Sequence, residues 1–285
     1  PTRRSIPIDH SFSVSLGNKT SLFGKELGYL GSITYGRSYT YFDDGEVGRF
    51  NLVDPENSEE LTILQQYNDE RGTDEVNIGG LITLQYKLSQ NHKLGVNYFQ
   101  SQSGSNFGRE QNGIWPDELG FPQEDIFQQR TNNVTGFTER SLRNFQGSGE
   151  HYFPNVLGAK FDWTVALART QQEEPDLRFV SFYRNQLFAG GDTNNVIRTA
   201  GFAFPSRIFR DLVEDKSSVV GNLEIPVQVN GRTANLKMGG SYSYTDRAFR
   251  ENFYFIDPDQ GIFTDLGGNV EEFFGLEYRG VVDTT

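Results

Sequence analysis

Three histidines, His10, His92 and His151, are the side chains of this sequence best suited to hold a metal or move a proton near neutral pH. They lie far apart, and none stands at the spacing of a metal-ligand set. His92 falls in a turn and His151 follows Glu150 near a strand end, so both read as turn or interface residues. Asp43-Asp44-Gly45 and Asp257-Pro258-Asp259 carry carboxylates able to touch a divalent cation, but Asp beside Gly or Pro is first of all a solvated turn. No nucleophile elbow, phosphate-cradling glycine loop or EF-hand pattern is present. Cysteine is absent, which removes disulfides and thiol chemistry. We therefore expect no catalytic residues, no cofactor and no metal.

Ligand recognition is a different matter, because aromatic and Arg side chains dominate binding hot spots. They cluster with Asn in Ile114-Trp115-Pro116-Asp117 and Phe182-Tyr183-Arg184-Asn185-Gln186. Trp115, Phe182, Tyr183, Arg184 and Asn185 are the candidate ligand contacts. Packing of one loop on another is the competing reading of the same residues. Both stretches fall in long polar segments, so the elements that would hold them must be found first.

Those elements are β-strands. The hairpin at 217–247 sets the pattern: Val219, Gly221, Leu223, Ile225 and Val227 share one face of its first arm. Asn230-Gly231 supplies a tight turn, and Ala234, Leu236, Met238, Gly240, Tyr242 and Tyr244 share one face of the second arm. A period of two means strand. Pro226 removes a ladder donor from the first arm and predicts a bulge. Similar strands are read at 10–17, 27–42, 76–88, 93–102, 138–153 and 159–170, which gives eight in all. Ile208-Phe209-Arg210-Asp211-Leu212 has the spacing of a short helix.

The connections alternate between short and long. The long ones are 43–73, 103–137 and 171–216, and 250–285 continues the series. In an antiparallel sheet this gathers every short link at one end. Soluble sandwiches rarely carry such long unstructured loops, whereas outer-membrane barrels have short turns at one end and long loops at the other. Tyr29, Tyr86, Tyr152, Phe153 and Trp163 fall toward the short-turn end. Tyr39, Tyr41, Phe42, Tyr242 and Tyr244 fall toward the other, giving two aromatic levels such as membrane interfaces select.

Composition narrows the classes further. The 285 residues are 14% aromatic, which excludes a disordered chain. The net charge of −12 argues against a nucleic-acid partner. No apolar run approaches the roughly 20 residues of a spanning helix. The chain opens on Pro1 and stops within what reads as an extended segment, so we expect a fragment cut at both ends.

The stretches FSVSLGNKTSLFGKELGYLGSITY, RSLRNFQGSGEHYF, FDWTVALARTQQEEPD and DLVEDKSSVVGNLEIPVQVNGRTANLKMGGSYSYTDRAF resemble consecutive barrel strands of TonB-dependent outer-membrane receptors with a regulatory-like domain ahead of the plug. The resemblance spans essentially the whole chain. It implies an all-β, antiparallel transmembrane barrel of about 22 strands, of which residues 1–285 supply about eight and lack the plug, the TonB box and the closing strands. It also implies a place in the outer membrane of a Gram-negative-type bacterium and lipid as a partner. TonB would act through the missing plug, and the imported nutrient would be scarce: a siderophore, cobalamin, peptide or glycan. A passive porin-type barrel and a soluble β-sandwich binding module remain alternatives.

The alternation in 76–88 makes a direct prediction. Leu84→Arg costs roughly 2–4 kcal/mol in the membrane-embedded protein, and Thr83→Arg far less, because only the first places charge toward lipid. Reversible unfolding of the two variants measures the difference, and equal costs would refute the assignment of faces.

Overall fold

The structure is a computed structural model that describes residues 6–52, 61–114, 127–186, 193–197, 205–229, 231–255 and 274. It contains nine strands: β1 (His10–Leu22), β2 (Lys25–Leu52), β3 (Leu61–Lys87), β4 (His92–Ile114), β5 (Phe127–Phe153), β6 (Ala159–Gln186), β7 (Thr193–Ile197), β8 (Ser206–Val229) and β9 (Arg232–Phe255). Eight of them follow one another as an antiparallel meander in the order β1-β2-β3-β4-β5-β6-β8-β9. β8 leaves β6 at the pair Phe179–Ser206, and β7 then takes up the edge of β6 from Phe182 to Gln186. Among the described residues every regular element is a strand, and β1 does not pair with β9. The sheet is open.

Local chemistry accounts for the tight turns. Leu22 pairs with Lys25 around Phe23 (φ 52°) and Gly24 (φ 73°). Two left-handed residues make the turn whose twist matches the flanking strands. Val229 pairs with Arg232 across Gly231, also left-handed at φ 76°. Asn230, the other half of that turn, lies outside the described residues. The link 154–158 closes through Val156 N–H donating to the Phe153 carbonyl at 3.1 Å and Ala159 N–H donating to the Val156 carbonyl at 2.9 Å.

Several expectations are corrected. Strands continue far into the segments read as loops: β2 runs to Leu52, β4 to Ile114 and β6 to Gln186. Their outer halves mix polar and apolar side chains on both faces, so no period of two betrays them, and cross-strand ion pairs stand beside apolar contacts. Phe182, Tyr183, Arg184 and Asn185 therefore sit on a strand, paired with β5 on one side and β7 on the other. The segment 208–212 is also strand, because pairing with both β6 and β9 overrides its helical spacing. Pro226 lies in unbroken register opposite Asn235, and β6 ends opposite Glu224, so at Pro226 β8 has a neighbour on one side only. That edge position tolerates the missing donor without a bulge. Asp43 and Asp44 are not a turn but the β-bulge in β2 between Phe42 and Gly45. Two more bulges interrupt the pairings of β6, between Thr135 and Glu139 and between Glu174 and Leu177. Trp115, Gly120, Gly191 and Asp257-Pro258-Asp259 lie outside the described residues.

Close packing fixes Gly149. A methyl group there would meet Trp163 Cε2 at 2.6 Å and His151 Nε2 at 2.8 Å. Gly240 belongs to the same cross-strand row, reached through Trp163 and Gly221, yet has nothing within 4 Å of an added methyl. Gly149→Ala should destabilise by about 1–3 kcal/mol, and Gly240→Ala should stay within about 0.5 kcal/mol of the parent. Urea unfolding of the two variants checks the contrast.

Candidate functional site

Register makes one face of the sheet apolar across every strand of the meander. One row runs Leu16, Gly31, Ile82, Tyr98, Phe145, Leu167, Ser217, Tyr244. The next runs Asn18, Tyr29, Leu84, Val96, Gly147, Val165, Val219, Tyr242. No described part of the chain covers these rows: Val14, Leu16, Ile33, Ile78, Ile82, Leu167, Met238 and Tyr242 are all more than half exposed. Gly31 and Gly80 leave a shallow apolar groove of about 650 Å³ between Leu16, Ile33, Ile78, Ile82 and Tyr98. The opposite face is polar and small, with Ser13, Ser15, Thr34, Asn77, Thr83, Asn97, Asn144, Thr164, Ser218 and Ser243.

The apolar belt is oblique to the ladder. On β2 it spans 27–35 and centres on Gly31; on β8 it spans 219–227 and centres on Leu223. The row through Gly31 nevertheless meets β8 at Ser217 and β9 at Tyr244, above the belt centre on each. At about 3.3 Å per residue and about 4.8 Å per strand the offset corresponds to a slope of about 30–40°. A level apolar band therefore requires strands tilted by that amount, close to the 35–45° of membrane barrels. Along a strand the belt measures about 26 Å from Ile78 to Tyr86, or about 20 Å in height at such a tilt.

Charge ends the belt on its upper side, along the same slant. Arg37 clamps Asp74 with two hydrogen bonds of 3.0 and 2.7 Å. Arg143 pairs in register with Arg169, Arg169 with Asp215, and Asp215 with Asp246. Beyond that line the strands are held by ion pairs. Arg109 binds Asp69 through both oxygens at 2.6 and 2.7 Å, and Asp69 is only 5% exposed. That carboxylate holds the Arg109 guanidinium above its ordinary range. Arg130 donates to Ser181 Oγ at 2.8 Å and to Asn132 Oδ1 at 3.0 Å, all three buried. Asp176, set in the β6 bulge, accepts from Arg207 at 2.8 and 2.8 Å and from Arg178 at 2.7 Å. Burial pushes the Asp176 carboxyl up, but those hydrogen bonds and charges outweigh it and hold the group below the usual carboxylate range.

Of the expected ligand contacts, Phe182 is 4% exposed and therefore a packing residue of β6 rather than a loop tip. Tyr183, Arg184 and Asn185 follow it in the ladder with β5 partners Arg130, Gln129 and Gln128. The structure does unite two histidines that the sequence left apart. His92 and His151 are direct cross-strand partners, with Nδ1 to Nδ1 at 3.1 Å. Trp163 Nε1–H donates to His151 Nε2 at 3.1 Å. Alignment of the 93–102 and 138–153 strands would have exposed this pair. Among the described residues no group of three or more His, Asp or Glu could hold a metal ion. No protein-family model, curated protein or solved structure matches the chain.

The ion pairs of the upper strands give a pH prediction. Because the folded Asp176 titrates below its unfolded value, its contribution is full above about pH 4 and disappears as pH falls through the depressed value. Asp176→Asn should cost about 1–3 kcal/mol at pH 7, since it leaves two guanidinium groups facing each other. It should also remove this part of the acid sensitivity, read from unfolding midpoints at pH 7 and pH 3.

Proposed function

We propose that the chain is part of a transmembrane β-barrel in the outer membrane of a Gram-negative-type bacterium, and that it works there as part of a TonB-dependent importer. The observation that carries the membrane reading is the oblique, uncovered apolar belt bounded by a line of charge. A face of that kind has no occupant within the described chain, and lipid is the partner whose thickness and chemistry suit it. The polar opposite face then lines the barrel interior. Further strands must continue the sheet at β1 and β9, because unpaired backbone groups cost several kcal/mol each in hydrocarbon.

The importer reading rests on the resemblance of the strand sequences and on the arrangement of the connections. The short links at 23–24, 88–91, 154–158 and 230–231 share one end, and the long strands project from the other. On this reading the short links face the periplasm. The projecting strands and their loops meet a scarce nutrient such as a siderophore, cobalamin or glycan, and TonB acts through a plug encoded elsewhere in the protein. Trp115, Tyr183, Arg184 and Asn185 remain candidate contacts, while Phe182 is buried.

An epitope inserted at Gly120 or Gly191 should be accessible on intact cells, and one at Asn91 only after permeabilisation. Labelling at Asn91 on intact cells would overturn the topology. Nutrient uptake that persists without TonB would transfer the protein to the passive porins.

A further inference from the structure

The pair His92–His151, with Trp163, forms a chain whose protons are fully assigned by its own geometry. Trp163 Nε1 is a donor only, so His151 Nε2 must present a lone pair to it. The proton of neutral His151 therefore sits on Nδ1 and points at His92 Nδ1, 3.1 Å away. His92 accepts there and carries its own proton on Nε2. Both lone pairs that face inward are thus engaged, which leaves a proton relay rather than a pair of free metal ligands.

We infer that this trio is an acid-responsive latch in which the first proton taken up releases Trp163 from β5. That proton has one place to go. If it binds His151, it occupies Nε2 and meets the indole N–H head-on. If it binds His92 at Nδ1, His151 must move its own proton to Nε2 to keep the histidine contact, with the same result. Either way the bond between histidines becomes charge-assisted and stronger, while the Trp163 bond is lost.

The surroundings place this chemistry at the apolar belt's short-turn rim. On the histidines' own face the neighbours are Leu94, Gly149, Phe153, Phe161 and Trp163, with ring centroids 5.5 Å from His92 to Phe153 and 6.4 Å from His151 to Phe161. The charged groups of β3 to β6 here, Lys87, Lys93, Glu150, Lys160 and Asp162, stand on the opposite face, while Lys25 of β2 shares the histidines' face and donates to the Leu88 carbonyl in the link to β4. Lys93 and Glu150 already neutralise each other at 3.2 Å. Gly149 leaves the space over which the indole lies. The latch joins β5 to β6 beside the link 154–158, so its release loosens that corner of the sheet without touching the ladder.

Trp163 emission is followed in the membrane-embedded protein as the difference from its Trp163→Phe variant. Emission should fall by about half between about pH 8 and pH 5, as a protonated imidazole quenches the freed indole. His151→Gln should abolish the fall, because the amide accepts from Trp163 and does not titrate. His92→Gln should retain it. The indole N–H resonance of Trp163 in the unsubstituted protein gives a second measurement: it should move upfield over the same range. A flat response in both measurements, or a fall that persists in His151→Gln, would overturn the latch. Loss of the response in His92→Gln would put the first proton on His92, the second of the two routes to release.

Discussion

Backbone pairing across strands carries this structure, since the described residues bury little else. The buried apolar side chains among the described residues are Tyr67, Ala159, Val180, Phe182, Pro205, Ile208 and Phe274. A sheet of eight long strands held by so small a core has its stabilisation elsewhere: in the ladder of hydrogen bonds, and in whatever takes the apolar belt out of water. Removal of exposed apolar surface is worth about 25 cal/mol per Å², and here most of that surface faces outward. The same ladder fixes the register, and the register decides which side chains share a face.

Two regimes follow along each strand. Near the short turns, apolar rows lie on one face and small polar residues on the other, with Gly31, Gly80, Gly147, Gly221 and Gly240 thinning the belt. Past the line of Arg37, Arg143, Arg169, Asp215 and Asp246, polar and apolar side chains mix on both faces, Tyr67, Val180, Phe182 and Ile208 are buried, and Arg–carboxylate clamps tie neighbours together. On the proposed membrane reading, the change from one regime to the other has a physical cause. In a low-dielectric surrounding an exposed ion pair is costly, whereas in water it is tolerated and its geometry selects the strand partner. The bulges at Phe42/Gly45 and at 174–177 lie in the second regime, where the Phe42 ring closes over Gly45 and Leu177 over Gly136.

The rim near the short turns joins the two themes. There an aromatic level meets the polar turns, and the one titratable chain within the belt is formed by His92, His151 and Trp163. Each contributes from a different strand, so the trio also reports whether β4, β5 and β6 are in register.

Much of the lower half was legible in the sequence. The period of two at 76–88, 93–102, 159–170 and 217–247 fixed the strands, their faces and the Asn230-Gly231 turn, because a strand with one apolar face writes that face into every second residue. The upper halves were not legible. Glu110, Gln111 and Asn112 of β4, or Gln171, Gln172 and Glu173 of β6, show no alternation, since both of their faces are polar. Only pairing with a neighbour made them strands, and only bulges set which way they point. The candidate contacts suffered the same limit: Phe182 looked like a loop aromatic until the pairing with β5 and β7 placed it inside. The histidine pair shows the boundary most directly. Its members are 59 residues apart, and nothing local joins them. The sequence placed His92 in a turn and His151 near the end of a strand, whereas His92 opens β4. The register, a property of two strands together, decided that they would meet.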